Sequence, residues 1–275
     1  MTTAQLFDHI RRKRSYLCVG LDIDLDKMPA HISRDMEGML QFGKEIIDAT
    51  HELCVAYKPN TAFYEAYGPA GMQVLNDLIS YIRKVDADQF IIADAKRGDI
   101  GNTSGRYARA FYDAFDSDAV TIAPYMGQDS VEPFLQQEGK YAILLALTSN
   151  PGSQDFQLKE AGGERLYEQV LRTSRSYQHA DRLMYVVGAT QASELANIRE
   201  IIPHSFLLVP GVGAQGGSLE QVAQYGMNDA CGLLVNSSRG ILYQDDSPAF
   251  AKASKAEAQR LQQAMERTLI AGNLI

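Results

Sequence analysis

Short, nearly unbroken apolar runs alternate along the chain with longer amphipathic segments. Eight of these runs are β-type: "YLCVGLD", "LCVAYKP", "QFIIADAK", "DAVTIAP", "YAILLALT", "RLMYVVGA", "SFLLVPG" and "ACGLLVNS". The segments between them, including "GKEIIDATHEL", "PAGMQVLNDLISYIRKV", "NTSGRYARAFYDAF", "ERLYEQVLRTSRSYQ", "ASELANIREII" and "SLEQVAQYG", carry the apolar spacing of helices. A strand buried on both faces reads as continuous apolar sequence, so the pattern predicts a parallel sheet wrapped by helices. Eight strands in this alternation predict a closed (β/α)8 barrel, the TIM-barrel architecture of the α/β class. No Pro-, Gly- or Ser-rich linker divides the chain, and residues 1–275 are read as one domain whose last outer helix is "SPAFAKASKAEAQRLQQAMERTLI".

Polar residues gather where these strands end. Asp22 closes the first, Lys58 the second, Asp94 and Lys96 the third; Ser149 follows the fifth and Arg239 the eighth. Barrel enzymes carry their active sites at that rim. Within a strand, residues two apart share a face, so Asp94 and Lys96 are expected to project together above Phe90 and Ile92. An inward carboxylate must be paired, and lysines at 58 and 96 satisfy that need. A plug closing the core needs one ion pair, whereas several charges at three strand ends point to a site.

Composition narrows the partners. With 26 Lys and Arg against 34 Asp and Glu, the formal charge of -8 argues against nucleic acid, though a local positive pocket could hold an anion. The chain has no apolar run of about 18 residues, so no membrane span is expected. Its N-terminus lacks an apolar signal core, and Arg11 to Arg14 are read as a solvated helix end. Cys18, Cys54 and Cys231 form no CxxC pair and are expected to be buried thiols in a reducing, cytoplasmic setting. The histidines have no metal-ligand spacing, and no metal is assigned. Ser104 is expected to start or pack a helix, not to act as a nucleophile. "NPGSQDFQLKEAGGER" is read equally as a mobile rim loop or an ordinary connection.

"GVGAQGG" holds a literal GxGxxG at Gly211, Gly213 and Gly216. A dinucleotide site expects an acid after the following strand, but Asp229 precedes it, so a phosphate loop between the seventh and eighth strands is the better reading.

The run "DAKRGDIGNT", with "GLDID" and "YKPN" before it and "KPNTAFYEAYG", "TSNPGS", "VPGVGAQGG" and "NSSRGI" around it, resembles orotidine 5'-phosphate decarboxylase. The long bacterial form (type 2) is the subgroup it is most similar to, and the resemblance covers essentially the whole chain. It implies conversion of orotidine 5'-monophosphate to uridine 5'-monophosphate and CO2, the last step of de novo UMP biosynthesis, with no cofactor and no metal. The implied catalytic row is Lys58, Asp94, Lys96 and Asp99, with Asp99 serving the neighbouring subunit of a homodimer. Asp22 is implied to hold the ribose, Thr103 to act across the interface and Ser149 to read the pyrimidine edge. Gln215 and Arg239 are implied to hold the phosphate, helped by backbone around Gly213, Gly216 and Gly240; Pro210 joins the substrate-binding set. Where short forms carry Gly before the phosphate arginine, this chain has Ser238. Two rivals stay open here: a magnesium-dependent sugar-phosphate decarboxylase of the same superfamily, and a barrel that binds a nucleotide without turnover.

Overall fold

The structure is a computed structural model and describes residues 1–212 and 217–275. Eight parallel strands close a barrel: β1 (Leu17–Gly20), β2 (Ala56–Lys58), β3 (Phe90–Arg97), β4 (Ala119–Ile122), β5 (Tyr141–Leu147), β6 (Leu183–Val187), β7 (Leu207–Pro210) and β8 (Leu233–Ser237). Each strand pairs with its sequence neighbours, and β8 returns to β1 through Leu17 opposite Val235. All eight runs expected from the apolar pattern contain a barrel strand. The strands are almost wholly buried because side chains fill the interior while helices cover the outside.

The helices follow from capping and stripe. The helix Met36–Thr50 begins earlier than the pattern "GKEIIDATHEL" indicated, because Asp35 caps the Gly38 N–H at 2.8 Å and "MEGMLQF" extends the apolar face. That face, Met39, Phe42, Ile46 and Ile47, packs toward the core. The final helix, Phe250–Ala271, stacks Phe250 on Phe42 with ring centroids 5.0 Å apart. Ser104 lies buried in the helix Gly101–Arg109, and its hydroxyl donates to the Ser130 carbonyl at 3.0 Å. Cys18, Cys54 and Cys231 are buried free thiols, and burial pushes the Cys54 thiol up to about 11. No helix among the described residues is long and apolar enough to cross a membrane.

One expectation is corrected at the N-terminus. Arg11, Arg12 and Lys13 do form the last turn of the helix Thr3–Lys13, but Lys13 is not solvated. Its side chain is only 11% exposed, and its ammonium reaches the Asp86 carboxylate at 2.6 Å and the Cys54 carbonyl at 3.0 Å, and also meets the His51 carbonyl. Three acceptors from the second and third barrel units replace its water and tie the helix across the strand N-termini.

The connection after β5 holds a 3-10 turn at Pro151–Asp155, then a hairpin pairing Glu160–Ala161 with Glu164–Arg165. Gln157 anchors it by accepting from the Thr148 N–H at 2.7 Å.

Candidate active site

The strand C-termini converge on a cavity of about 190 Å³ whose lining includes Asp22, Lys58, Asp94, Pro210, Asn236 and Arg239. A larger cavity of about 590 Å³ lies at the opposite end, near Gln5, His9, Arg12 and Arg83. There Arg12 is already paired with Asp88, and Arg83 with Asp116 and Asp118. The smaller cavity is the better candidate because Asp22, Lys58 and Asp94 converge on it from three different strand ends, as barrel chemistry requires.

Asp94 is the hub. One carboxylate oxygen, Oδ2, accepts from Lys58 Nζ at 2.7 Å; the other, Oδ1, accepts from Lys96 Nζ at 2.6 Å and from the Thr121 hydroxyl at 2.9 Å. The backbone on both sides of it is tied to the end of β2, with the Asp94 N–H bonding the Pro59 carbonyl and the Thr61 N–H bonding the Asp94 carbonyl. Burial by itself would raise the Asp94 pKa, but the two ammonium groups outweigh it and hold the carboxyl well below the ordinary range. Burial would likewise discharge Lys58, yet the carboxylates of Asp94 and Asp22 outweigh it and hold the ammonium above the usual lysine range. Lys58 and Asp94 are therefore both charged at neutral pH. Such a pair is costly to form and costly to break, which fixes its geometry.

Asp94 and Lys96 meet as expected, but the strand alternation invoked for them is not what brings them together. The register between β3 and β4 shifts between Ala93 and Arg97, and Lys96 adopts a left-handed backbone at φ 47°. For a residue with a Cβ this conformation is strained, and strain of this kind clusters at functional sites. The bulge tips Lys96 to the rim, where its side chain is half-exposed while that of Asp94 is 9% exposed.

Asp22 lies two residues past β1. Its Oδ1 is 3.9 Å from Lys58 Nζ, and its Oδ2 accepts from the Ser238 hydroxyl at 2.7 Å. The Tyr64 hydroxyl donates to the Leu21 carbonyl at 2.8 Å, and the Tyr243 hydroxyl to the Asp22 carbonyl at 3.1 Å, so two tyrosines hold this segment. Gly20 is required here: a Cβ on it would stand 2.7 Å from the Ser238 Cβ. Ser238, noted in the sequence only as a departure from glycine, thus ties the aspartate to the segment that bears Arg239.

Two buried polar atoms of the lining residues, Asp22 Oδ1 and Asn236 Oδ1, have no hydrogen-bond partner among the described residues, and neither does Ser149 Oγ at the end of β5. Unsatisfied buried polar atoms are rare, and their grouping fits a polar ligand. Ser149 follows β5 and is wedged against Gly188, where a Cβ would approach its Oγ to 2.0 Å. Arg239 is exposed at the start of the short helix Arg239–Leu242 and has no acidic partner among the described residues; Gly240 follows it.

The remaining residues stand apart. Asp99 accepts from the Ile100 N–H at 2.7 Å and makes no ion pair with Lys58 or Lys96 among the described residues, while Thr103 is exposed on the next helix. Gly213, Gln215 and Gly216 lie outside the described residues. At the borders of that segment the Gly217 N–H bonds the Gly211 carbonyl at 3.3 Å. Thr121, Asn236, Tyr64 and Tyr243 were not singled out from the sequence. A lone Thr inside an apolar strand and tyrosines on apolar stripes carry no signal distinguishing them from ordinary core residues.

Residues 15–254 match the model of the orotidine 5'-phosphate decarboxylase / HUMPS family. The chain is 59% identical over 276 residues to orotidine 5'-phosphate decarboxylase of Porphyromonas gingivalis, covering 100% of both chains. It is 56% identical over 270 residues to the enzyme so named in Bacteroides fragilis, covering 98% of both. Among solved structures it is similar to Leishmania donovani OMP decarboxylase, with a TM-score of 0.80, 35% identity, and coverage of 96% of this chain and 100% of that one.

Proposed function

For a chain that belongs to the orotidine 5'-phosphate decarboxylase / HUMPS family, we propose a mechanism in which a strand-end row of lysines and aspartates drives the reaction. The reaction is decarboxylation of orotidine 5'-monophosphate to uridine 5'-monophosphate, in pyrimidine biosynthesis. The observation carrying the mechanism is the Lys58–Asp94–Lys96 array, a buried Lys58–Asp94 pair with Lys96 joining it from the rim, with separations of 2.7 and 2.6 Å.

Asp94 lies against the substrate carboxylate, and their repulsion is relieved as CO2 leaves. The C6–carboxylate bond breaks and its electron pair stays on C6 as an sp2 carbanion. The Lys96 ammonium stabilises that charge and then transfers a proton to C6, leaving a neutral amine that solvent reprotonates. Lys58 keeps Asp94 ionised and oriented. Asp22 binds the ribose hydroxyls, Ser149 the pyrimidine edge, and Arg239 the phosphate. Pro210 lines the same cavity, and backbone around Gly240 helps hold the phosphate, with Gly213, Gln215 and Gly216 assigned to the phosphate by sequence alone.

A lysine at the second strand end weighs against the magnesium-dependent alternative. Lys58 Nζ already occupies Asp94 Oδ2, leaving less room for a divalent cation beside that oxygen.

The working unit is a homodimer in the cytoplasm in which Asp99 and Thr103 complete the partner's site. Three features support it. Asp99 makes no ion pair with its own row among the described residues, and the apolar residues Ile100, Tyr125 and Met126 are 57%, 92% and 46% exposed. The loops bearing them begin together, joined by the Ala123 N–H to the Arg97 carbonyl at 2.9 Å. Mixing inactive Lys96→Ala and Asp99→Ala chains is expected to restore activity, because one site of each mixed dimer is complete. With chain exchange confirmed, absence of rescue would overturn the shared site.

A further inference from the structure

We propose that Thr121 is a positioning residue that sets the proton-donating lysine on its carboxylate, an inference resting on the decarboxylase reading above. Three observations carry it. First, the ladder between β3 and β4 is interrupted: Ala93 is opposite Val120, yet the next pair is Arg97 with Ile122. A bulge leaves backbone groups in its interval without strand partners.

Second, the Thr121 hydroxyl takes up one of those groups, accepting from the Lys96 N–H at 3.0 Å. That N–H belongs to the residue held at φ 47°, so the hydroxyl secures the backbone conformation that aims the lysine. Third, the same hydroxyl spends its only proton on Asp94 Oδ1, at 2.9 Å, beside the Lys96 ammonium at 2.6 Å. Thr121 is fully buried, so its hydroxyl is satisfied by these two groups and not by bulk water. One side chain therefore determines both the backbone of the donor and the rotation of the carboxylate.

The isosteric Thr121→Val removes the hydroxyl and keeps the shape; Thr121→Ser restores the hydroxyl. For Thr121→Val, kcat is expected to fall roughly 10- to 100-fold, the scale of a lost hydrogen bond to a charged group, with KM changed less than about threefold. Hydrogen exchange at the Lys96 amide is expected to accelerate at least about tenfold in the same variant. Thr121→Ser is expected to bring both quantities back near wild type. Should the valine variant not fold, Thr121→Ala serves for the same comparison. Unchanged kcat with unchanged exchange at Lys96, or failure of Ser to rescue, would overturn the role of Thr121. The exchange rate answers without turnover, so a wild-type protein inactive on orotidylate would count against the decarboxylase reading alone.

Discussion

Replacing Lys96 by alanine is expected to lower kcat by at least about 10⁴-fold while leaving the affinity for uridine 5'-monophosphate within about tenfold of wild type. The asymmetry follows from where the ammonium sits. Half of the Lys96 side chain is exposed at the rim, and its one ion pair among the described residues is with Asp94 Oδ1. After truncation Asp94 keeps Lys58 on Oδ2 and Thr121 on Oδ1, so the buried carboxylate is not stranded and the barrel remains folded. The product has no carboxylate and no developing charge at C6, so it has little to lose from the missing ammonium. Isothermal titration with the product and single-turnover kinetics with the substrate separate the two effects. Near-normal turnover would remove Lys96 as the proton donor.

Replacing Arg239 by alanine is expected to act on the other end of the ligand, weakening binding of uridine 5'-monophosphate roughly 100- to 1,000-fold while barely changing that of uridine. Guanidinium binds phosphate through paired, charge-assisted hydrogen bonds, each contributing about 1.5–3 kcal/mol. The residue is suited to that task because it is exposed at the cavity wall and has no acidic partner among the described residues. Phosphate binding energy can also assist chemistry at a distant carbon, so kcat/KM should fall more than product affinity. Equal losses for nucleoside and nucleotide would contradict the phosphate role.

The barrel was legible in the sequence because strands covered on both faces cannot hide their apolar continuity, and the polar residues closing them mark the rim. Helix ends were less legible: the Asp35 cap that starts the helix at Met36 lies outside the apolar pattern. The meeting of Asp94 and Lys96 was correctly expected from a two-residue spacing, yet a bulge and a left-handed lysine produce it, and neither has a composition signature here. Thr121 and Ser238 were invisible as participants because their roles depend on elements far along the chain, β3 for one and the end of β1 for the other. Lys13 shows the converse: a basic run that reads as solvated includes a lysine enclosed by acceptors from two other segments. The assignments of Asp99 and Thr103 concern a second chain, and those of Gly213, Gln215 and Gly216 concern residues outside the described set. Both rest on the family resemblance.

The central claim is that a lysine and aspartate row suffices to decarboxylate orotidylate. Its most direct test is to mix purified protein with orotidine 5'-monophosphate in excess chelator, following the loss of orotidylate absorbance and the release of CO2. The account predicts complete conversion to uridine 5'-monophosphate with one CO2 per substrate, at a rate the chelator does not change. Unchanged orotidylate, or turnover that appears only when magnesium is restored, would contradict it.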